Sequence, residues 1–257
     1  MSDEVLCAVD GGVATVTLNR PDKRNAMNMA LLAALRARFE ELDDNREVRV
    51  VVVRGGGPVF CAGMDLKEME ERRGVPGDPE SGVIEALGRV ERSRHPTIAM
   101  VHGDAIAGGC ELALHCDLRV ASDAARFGMP LARIGLVVPF TLGQKLVEVI
   151  GPAHTRHLLF TGQPFDAKRA LEIGMVHQVV GSSELEAATY QLAQSIARNA
   201  PLALAGIKAT ILRAASLRES IPHADLDEAS ARARQSADAS EGRRAMLEKR
   251  RPVFRGE

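Results

Sequence analysis

Apolar and polar positions change period several times along the chain, and each change marks an element. Residues 5–9 and 13–18 are short β-type runs, split by Asp10-Gly11-Gly12, which reads as a hairpin turn. Leu31, Leu32, Leu35 and Phe39 then fall at helical spacing, with Asn28 placed as a cap and an end near Asp44. Residues 48–54 are nearly all valine, the pattern of a strand buried on both faces, and Gly55-Gly56-Gly57-Pro58 breaks it. Composition makes 72–82 a loop. A helix to about Arg94, a strand over 97–101, a helix from Gly108 and a strand near 118–121 should follow.

Beyond Pro139 the character changes. Strand patterning nearly vanishes, apart from residues 175–180, and Ala-, Leu- and Arg-rich helical segments run from Ser183 to Lys249, broken at Pro201 and Pro222. The expected organisation is α/β: a β/α body over residues 1–199 and a helical C-terminal region over 200–257, with no internal repeat.

Composition narrows the class without naming it. With 257 residues, 46% apolar and 26% charged, the chain can bury a substantial core. A net charge of −1 gives no global attraction to nucleic acid or to a membrane surface, and neither is expected as a partner. Only the tail is locally basic (Arg243, Arg244, Lys249, Arg250, Arg251, Arg255), a solvated helix end or a phosphate contact. Four cysteines without a C-x-x-C pair read as reduced thiols, and the polar start carries no signal-peptide pattern; a cytoplasmic location is the expectation. His154 and His157 lack acidic or thiol neighbours in sequence, Tyr190 lies in a helical run, and no metal or separate cofactor is expected. His95, His102, His115, His177 and His223 are scattered and take no assigned chemistry.

Two glycine-bearing loops stand apart. Val59-Phe60-Cys61-Ala62-Gly63-Met64-Asp65-Leu66 follows the all-valine strand, and Ala107-Gly108-Gly109-Cys110-Glu111 follows another strand and opens a helix. In open α/β sheets, sites form where strands end and helices begin. Glycines let backbone approach closely, and a helix N-terminus adds positive potential. Two such loops can each aim an N–H at one oxygen, with the Glu111 carboxylate one turn in. Either loop alone is a packed turn; both together are equipment for holding an enolate and moving a proton beside it.

Those residues carry a resemblance. Asn19-Arg20-Pro21 with Asn25-Ala26, Phe60-Cys61-Ala62-Gly63-Met64-Asp65-Leu66-Lys67, Gly108-Gly109-Cys110-Glu111-Leu112-Ala113 and Cys116-Asp117-Leu118-Arg119 resemble the crotonase (enoyl-CoA hydratase/isomerase) family. Phe127-Gly128-Met129-Pro130, Leu159-Phe160-Thr161-Gly162 and Glu248-Lys249-Arg250 continue it along nearly the whole chain. The resemblance implies a spiral of ββα units, a helical C-terminal trimerisation region, a homotrimer or a hexamer built as a dimer of trimers, and an acyl-CoA thioester substrate that brings its own coenzyme A. It implies a thioester oxygen held between the N–H groups of Met64 and Gly108, with Glu111 as acid/base. CoA contacts fall on Lys23, Arg24, Ala26, Ala62, Asp65 and Leu66, with Lys249 reaching the phosphates from a neighbouring subunit. The loop at 72–82 takes the place of a variable segment beside the acyl pocket.

Two positions depart from the pattern. Leu131 stands where the family's hydratases place a second glutamate, and Pro139 stands at the glycine that accommodates the reacting water. Leucine moves no proton, and proline adds bulk and has no N–H. The sequence therefore points to an acyl-CoA enzyme of the enoyl-CoA hydratase/isomerase type with one carboxylate and doubtful full hydratase activity. Two alternatives stand beside it: a decarboxylase of the methylmalonyl-CoA type, lined by Leu131, Val137, Val138, Pro139 and Phe140, and an acyl-CoA-binding protein without turnover.

Overall fold

The computed structural model describes residues 4–71, 79–215 and 221–256. At its centre is a six-stranded sheet, ordered β1-β2-β3-β4-β6-β9. β1 (Val5–Asp10) and β2 (Val13–Leu18) are the antiparallel hairpin, turned by Gly11 and Gly12 at φ 53° and 82°. β3 (Val50–Gly55), β4 (Thr97–Val101), β6 (Leu118–Ser122) and β9 (Gln178–Val180) continue from β2 in parallel.

The run of valines in β3 has a simple cause. Val51 and Val53 point into the larger core with Ala99 and Val101 of β4, against helix α1 (Met29–Asp44). Val50 and Val52 point the other way, with Ile98 and Met100, against Leu185 and Ala193 of α7 (Leu185–Ala197). Both faces are covered from Val50 to Val53, so those four positions are apolar, and the first polar residue is the half-buried Arg54. Asn28 caps α1 as expected, its side chain accepting from Leu31 N–H at 2.8 Å.

Three features differ from the sequence expectation. A second sheet of β5 (Asp104–Ile106), β7 (Arg126–Gly128) and β8 (Phe165–Asp166) is present; strands of two or three residues are too short to show an alternating pattern. Helix α3 (Pro79–Glu91) begins inside the segment expected to be loop, with Pro79 at its first turn, where a missing N–H costs nothing; residues 72–78 lie outside the described part. It ends before Arg94, because Asp43 captures the Ser93 hydroxyl at 2.9 Å and the Arg94 N–H at 3.0 Å.

The C-terminal helices fold back onto this body. α5 (Phe140–Thr161) kinks at Gly151 (φ 70°) before Pro152. Lys208 of α8 (Pro201–Ala215) is buried and reaches Asp117 at 2.7 Å and the His95 carbonyl at 3.0 Å. α9 (Ala224–Gln235) leads into α10 (Ala237–Leu247), which lies across the short 3-10 turn Leu131–Ile134. A Cβ on Gly242 would stand 2.4 Å from the Ile134 Cα, so this crossing is possible only at glycine. Buried Arg243 then joins α10 to Glu70 of α2 (Leu66–Glu71) at 2.8 Å.

Candidate active site

Three backbone segments lie side by side. Ala62 N–H donates to the Arg24 carbonyl (3.0 Å), Met27 N–H to Gly63 (2.7 Å) and Asp65 N–H to Met27 (2.9 Å). On the other edge, Cys61 N–H donates to Asp104 (3.0 Å) and Ile106 N–H to Cys61 (2.9 Å). Asn25 anchors the assembly from inside. It is fully buried, and its side-chain amide donates to the carbonyls of Gly56, Val59 and Phe60 while its oxygen accepts from Arg20 N–H at 3.0 Å. Asn25 sits at φ 53°, a left-handed conformation that asparagine tolerates better than most residues.

This strapping sets Met64 beside α4 (Gly108–His115). A Cβ built on Gly108 would lie 3.8 Å from the Met64 nitrogen, and one on Gly63 would lie 3.3 Å from the Gly108 nitrogen. Gly63 has φ +92°, and a Cβ on Gly109 would fall 2.2 Å from the Cys61 carbonyl oxygen, so glycine is required at both. Ala107, at φ 49° and ψ −118°, turns the chain into α4, with its own N–H tied to Gly128 at 2.7 Å. Among the described residues, no hydrogen bond from the Met64 or Gly108 N–H to a chain acceptor is present. Two neighbouring donors, one at a helix start, can converge on one oxygen of a bound molecule.

Glu111 lies one turn into α4 with no exposed surface. Neither carboxylate oxygen has a hydrogen-bond partner. Burial pushes its pKa well above the ordinary carboxylate value; Lys145 opposes the shift and Glu91 adds to it. The group therefore holds its proton where exposed glutamates have lost theirs. Arg119 fixes the far end of α4, its guanidinium donating to the carbonyls of Ala113 (3.2 Å) and Cys116 (2.7 Å).

The remaining predicted residues divide into two groups. Arg24, Ala26, Ala62, Asp65 and Leu66 are brought together by the strapped segments, with Lys23 exposed on the adjoining turn Pro21–Lys23. Arg24 is paired with Asp104 at 2.8 Å. The Asp65 side chain is engaged by Arg20 at 3.2 Å and by the N–H groups of Lys67 and Glu68 at the start of α2. Leu131 reaches the same edge because β5 and β7 run parallel, so that α4 and the turn Leu131–Ile134 leave the small sheet at one end. It is half-buried against the core that includes Cys110 and Leu112. Pro139 is buried and precedes the first turn of α5, its carbonyl accepting from Gly143 at 2.9 Å. Lys249, expected to act from a neighbouring subunit, is exposed beyond α10.

The tail is less basic in space than in sequence. Arg250 pairs with Glu241 and Glu248, Arg244 with Glu241 and Arg243 with Glu70. Half of the six tail cations thus have acidic partners within the chain.

One neighbour of Glu111 received no assignment from sequence. His115 is buried at i+4 on the same helix, with Nδ1 2.8 Å from the Glu111 carbonyl and 3.8 Å from its Oε2. The spacing Glu111–His115 was the available signal, since residues four apart share a helix face. Lys145 of α5 pairs with Glu91 of α3 at 2.5 Å, a contact between helices with no local pattern, and with Glu148 on its own helix at 2.8 Å. Among the described residues no group of three or more His, Cys, Asp or Glu is placed to hold a metal, and no helix is long and apolar enough to cross a membrane.

Comparison with known proteins supplies the family and the fold. Residues 8–257 match the family model described as enoyl-CoA hydratase/isomerase. The short-chain-enoyl-CoA hydratase of Clostridium acetobutylicum is 37% identical over 214 residues, 82% of each chain. A methylmalonyl-CoA decarboxylase in complex with 2-nitronate-propionyl-CoA superposes with a TM-score of 0.91 at 27% identity, covering all of both chains. An enoyl-CoA hydratase/isomerase from Pseudoalteromonas atlantica gives 0.82 at 30% identity, covering 98% of this chain and all of that one. With the fold and these loops in place, the match over nearly the whole length is decisive: the chain belongs to the enoyl-CoA hydratase/isomerase family.

Proposed function

We propose that the protein passes an acyl-CoA thioester through an enolate, its oxygen held by the N–H groups of Met64 and Gly108, with Glu111 as the one proton carrier. The observation that carries this is Glu111 itself: fully buried, without a hydrogen-bond partner, and with desolvation pushing its pKa above the ordinary carboxylate value. A neutral carboxyl is an acid, ready to deliver a proton to an enolate carbon. Leu131 supplies no second proton-transfer group.

Within this chemistry, decarboxylation of a malonyl-type thioester fits best. Loss of CO₂ leaves the bonding electron pair on the α carbon as an enolate, so no base is needed, and Glu111 then donates the proton. Hydration needs oxygen delivered to the β carbon and a proton to the α carbon, two tasks for which two placed carboxylates are suited. The backbone likeness supports this reading: the decarboxylase superposes better than the Pseudoalteromonas hydratase/isomerase despite lower identity.

Mass spectrometry of the products from malonyl-, methylmalonyl-, crotonyl- and 3-hydroxybutyryl-CoA tests it. Loss of CO₂ from a malonyl-type thioester is expected, with one deuterium placed on the α carbon in heavy water. Crotonyl-CoA should be hydrated well below about 10 s⁻¹, an ordinary enzymatic rate. Fast hydration without decarboxylation would overturn the finer reading, and tight binding of all four without turnover would leave a binding protein.

A further inference from the structure

Decarboxylation has a proton balance that hydration and isomerisation lack. A malonyl-type carboxylate plus one proton gives the acyl thioester plus CO₂, so each turnover consumes a proton. In the proposed reaction that proton comes from Glu111, which is left as a carboxylate and must be recharged. Glu111 has no exposed surface of its own. CoA, bound over residues 24–26 and 62–66, would cover the strapped loops on the substrate side.

The chain offers a second approach. A cleft of about 570 Å³ opens between α3, α5 and α8, and His115 stands in its wall. Glu111 is not in that wall. His115 therefore separates the buried carboxyl from the cleft. The cleft has charged groups in its wall, Glu91 of α3 with Arg92 just beyond it, Lys145 and Glu148 of α5 and Arg213 of α8, which favours ordered water. The Glu111 carbonyl can only accept, so the imidazole proton sits on Nδ1, and Nε2 is the acceptor nitrogen.

We propose that His115 recharges Glu111 with a proton drawn from this cleft. The Nδ1–H passes to the Glu111 carboxylate while Nε2 takes a proton from cleft water, and bulk buffer restores the water. The starting tautomer returns by exchange with cleft water: a ring flip turns the bare Nδ1 to the cleft, where it takes a proton from water while Nε2 gives its proton back, and the ring then flips home. The 3.8 Å gap from Nδ1 to Oε2 closes by rotation of the Glu111 side chain, which no hydrogen bond restrains. The charged groups facing His115 are Glu111 on its own helix, Glu91 from α3, and Lys145 and Glu148 from α5. Burial lowers the imidazole pKa, which keeps it neutral as a relay requires. His115 acts through Glu111 and touches no substrate in this scheme.

The inference rests on Glu111 as the proton carrier, and the experiment separates the two. Rapid-mixing measurements with malonyl-CoA and methylmalonyl-CoA compare the full-length protein with His115→Gln, His115→Phe and Glu111→Gln. In both His115 variants the first turnover should keep the wild-type rate while later turnovers slow by about 10²-fold, as for a lost proton-transfer group. The trace becomes a burst, and added imidazole, small enough for the cleft, should restore the steady state. In Glu111→Gln the first turnover itself should fail. Equal loss in first and later turnovers of both His115 variants, or no change in either, overturns the relay and leaves the Glu111 assignment standing. A normal first turnover in Glu111→Gln overturns the Glu111 assignment and the relay with it.

Discussion

The strapped loops and the interior behind them lie a few residues apart and are built on opposite principles. In the loops, hydrogen bonds are made almost everywhere: Asn25 alone makes four, and segments 24–27, 61–65 and 104–106 pair edge to edge. Among the described residues the N–H groups of Met64 and Gly108 have no chain acceptor, and the pairing around them fixes where they point. Behind them, Glu111 has a helix to hold its backbone and nothing to hold its carboxyl oxygens. Satisfied partners give position, whereas missing partners, in a place without water-facing surface, change the acidity. A donor pair needs the first and a proton carrier the second.

Exchanging the two properties should break the site in different ways. The largest effect is expected from Glu111→Gln, which keeps size and removes the titrating proton: about 10²–10⁴-fold in kcat on whichever thioester is turned over, with CoA affinity retained. Gly109→Ala should come next. Its Cβ meets the Cys61 carbonyl oxygen at 2.2 Å, so the loops separate and one donor is lost from the oxygen site. A fall of about 10²–10³-fold in kcat/KM follows from such a loss, and an unchanged rate would show that the donor pair is not used.

Leu131→Glu with Pro139→Gly sharpens the comparison from the other side. Followed by loss of enoyl-thioester absorbance, the double change should hydrate crotonyl-CoA faster than either single change. Leu131→Glu alone adds a carboxyl against apolar residues with a raised pKa and no room for water.

Asn25→Ala acts on stability. It leaves buried backbone groups without partners and puts alanine at φ 53°. Urea unfolding should show a loss of about 2–5 kcal/mol.

The smallest effect is the pH dependence of Glu111. The native chain keeps this proton to higher pH than the unfolded chain, so stability falls as pH rises above the ordinary value of 4.5. The slope from one such group is at most about 1.4 kcal/mol per pH unit, and it ends where the native group ionises. Glu111→Gln removes that slope. Melting temperatures should therefore shift in favour of the variant as pH rises from 4.5, and a constant difference would mean that the native pKa is ordinary.

The sequence by itself determined the β1–β2 hairpin, α1 with its Asn28 cap, the doubly buried β3 and the helix opening at Gly108, because each is encoded in spacing of a few residues. It also marked the two glycine-bearing loops and Glu111, since such turns at strand ends leave a local signature, while the family resemblance singled out Met64 and Gly108 within them. The small sheet of β5, β7 and β8 left none, its strands being too short for an alternation to repeat. Tertiary structure alone decided the rest. The acidity of Glu111 comes from complete burial, and the cleft beside His115 comes from α3, α5 and α8 meeting around it. The Glu91–Lys145 pair joins residues 54 positions apart in the chain. The pairing of three tail arginines likewise depends on where Glu70 and Glu241 come to rest. Turns and caps are written in neighbouring residues, whereas dielectric and charge pairing depend on what the folded chain brings alongside.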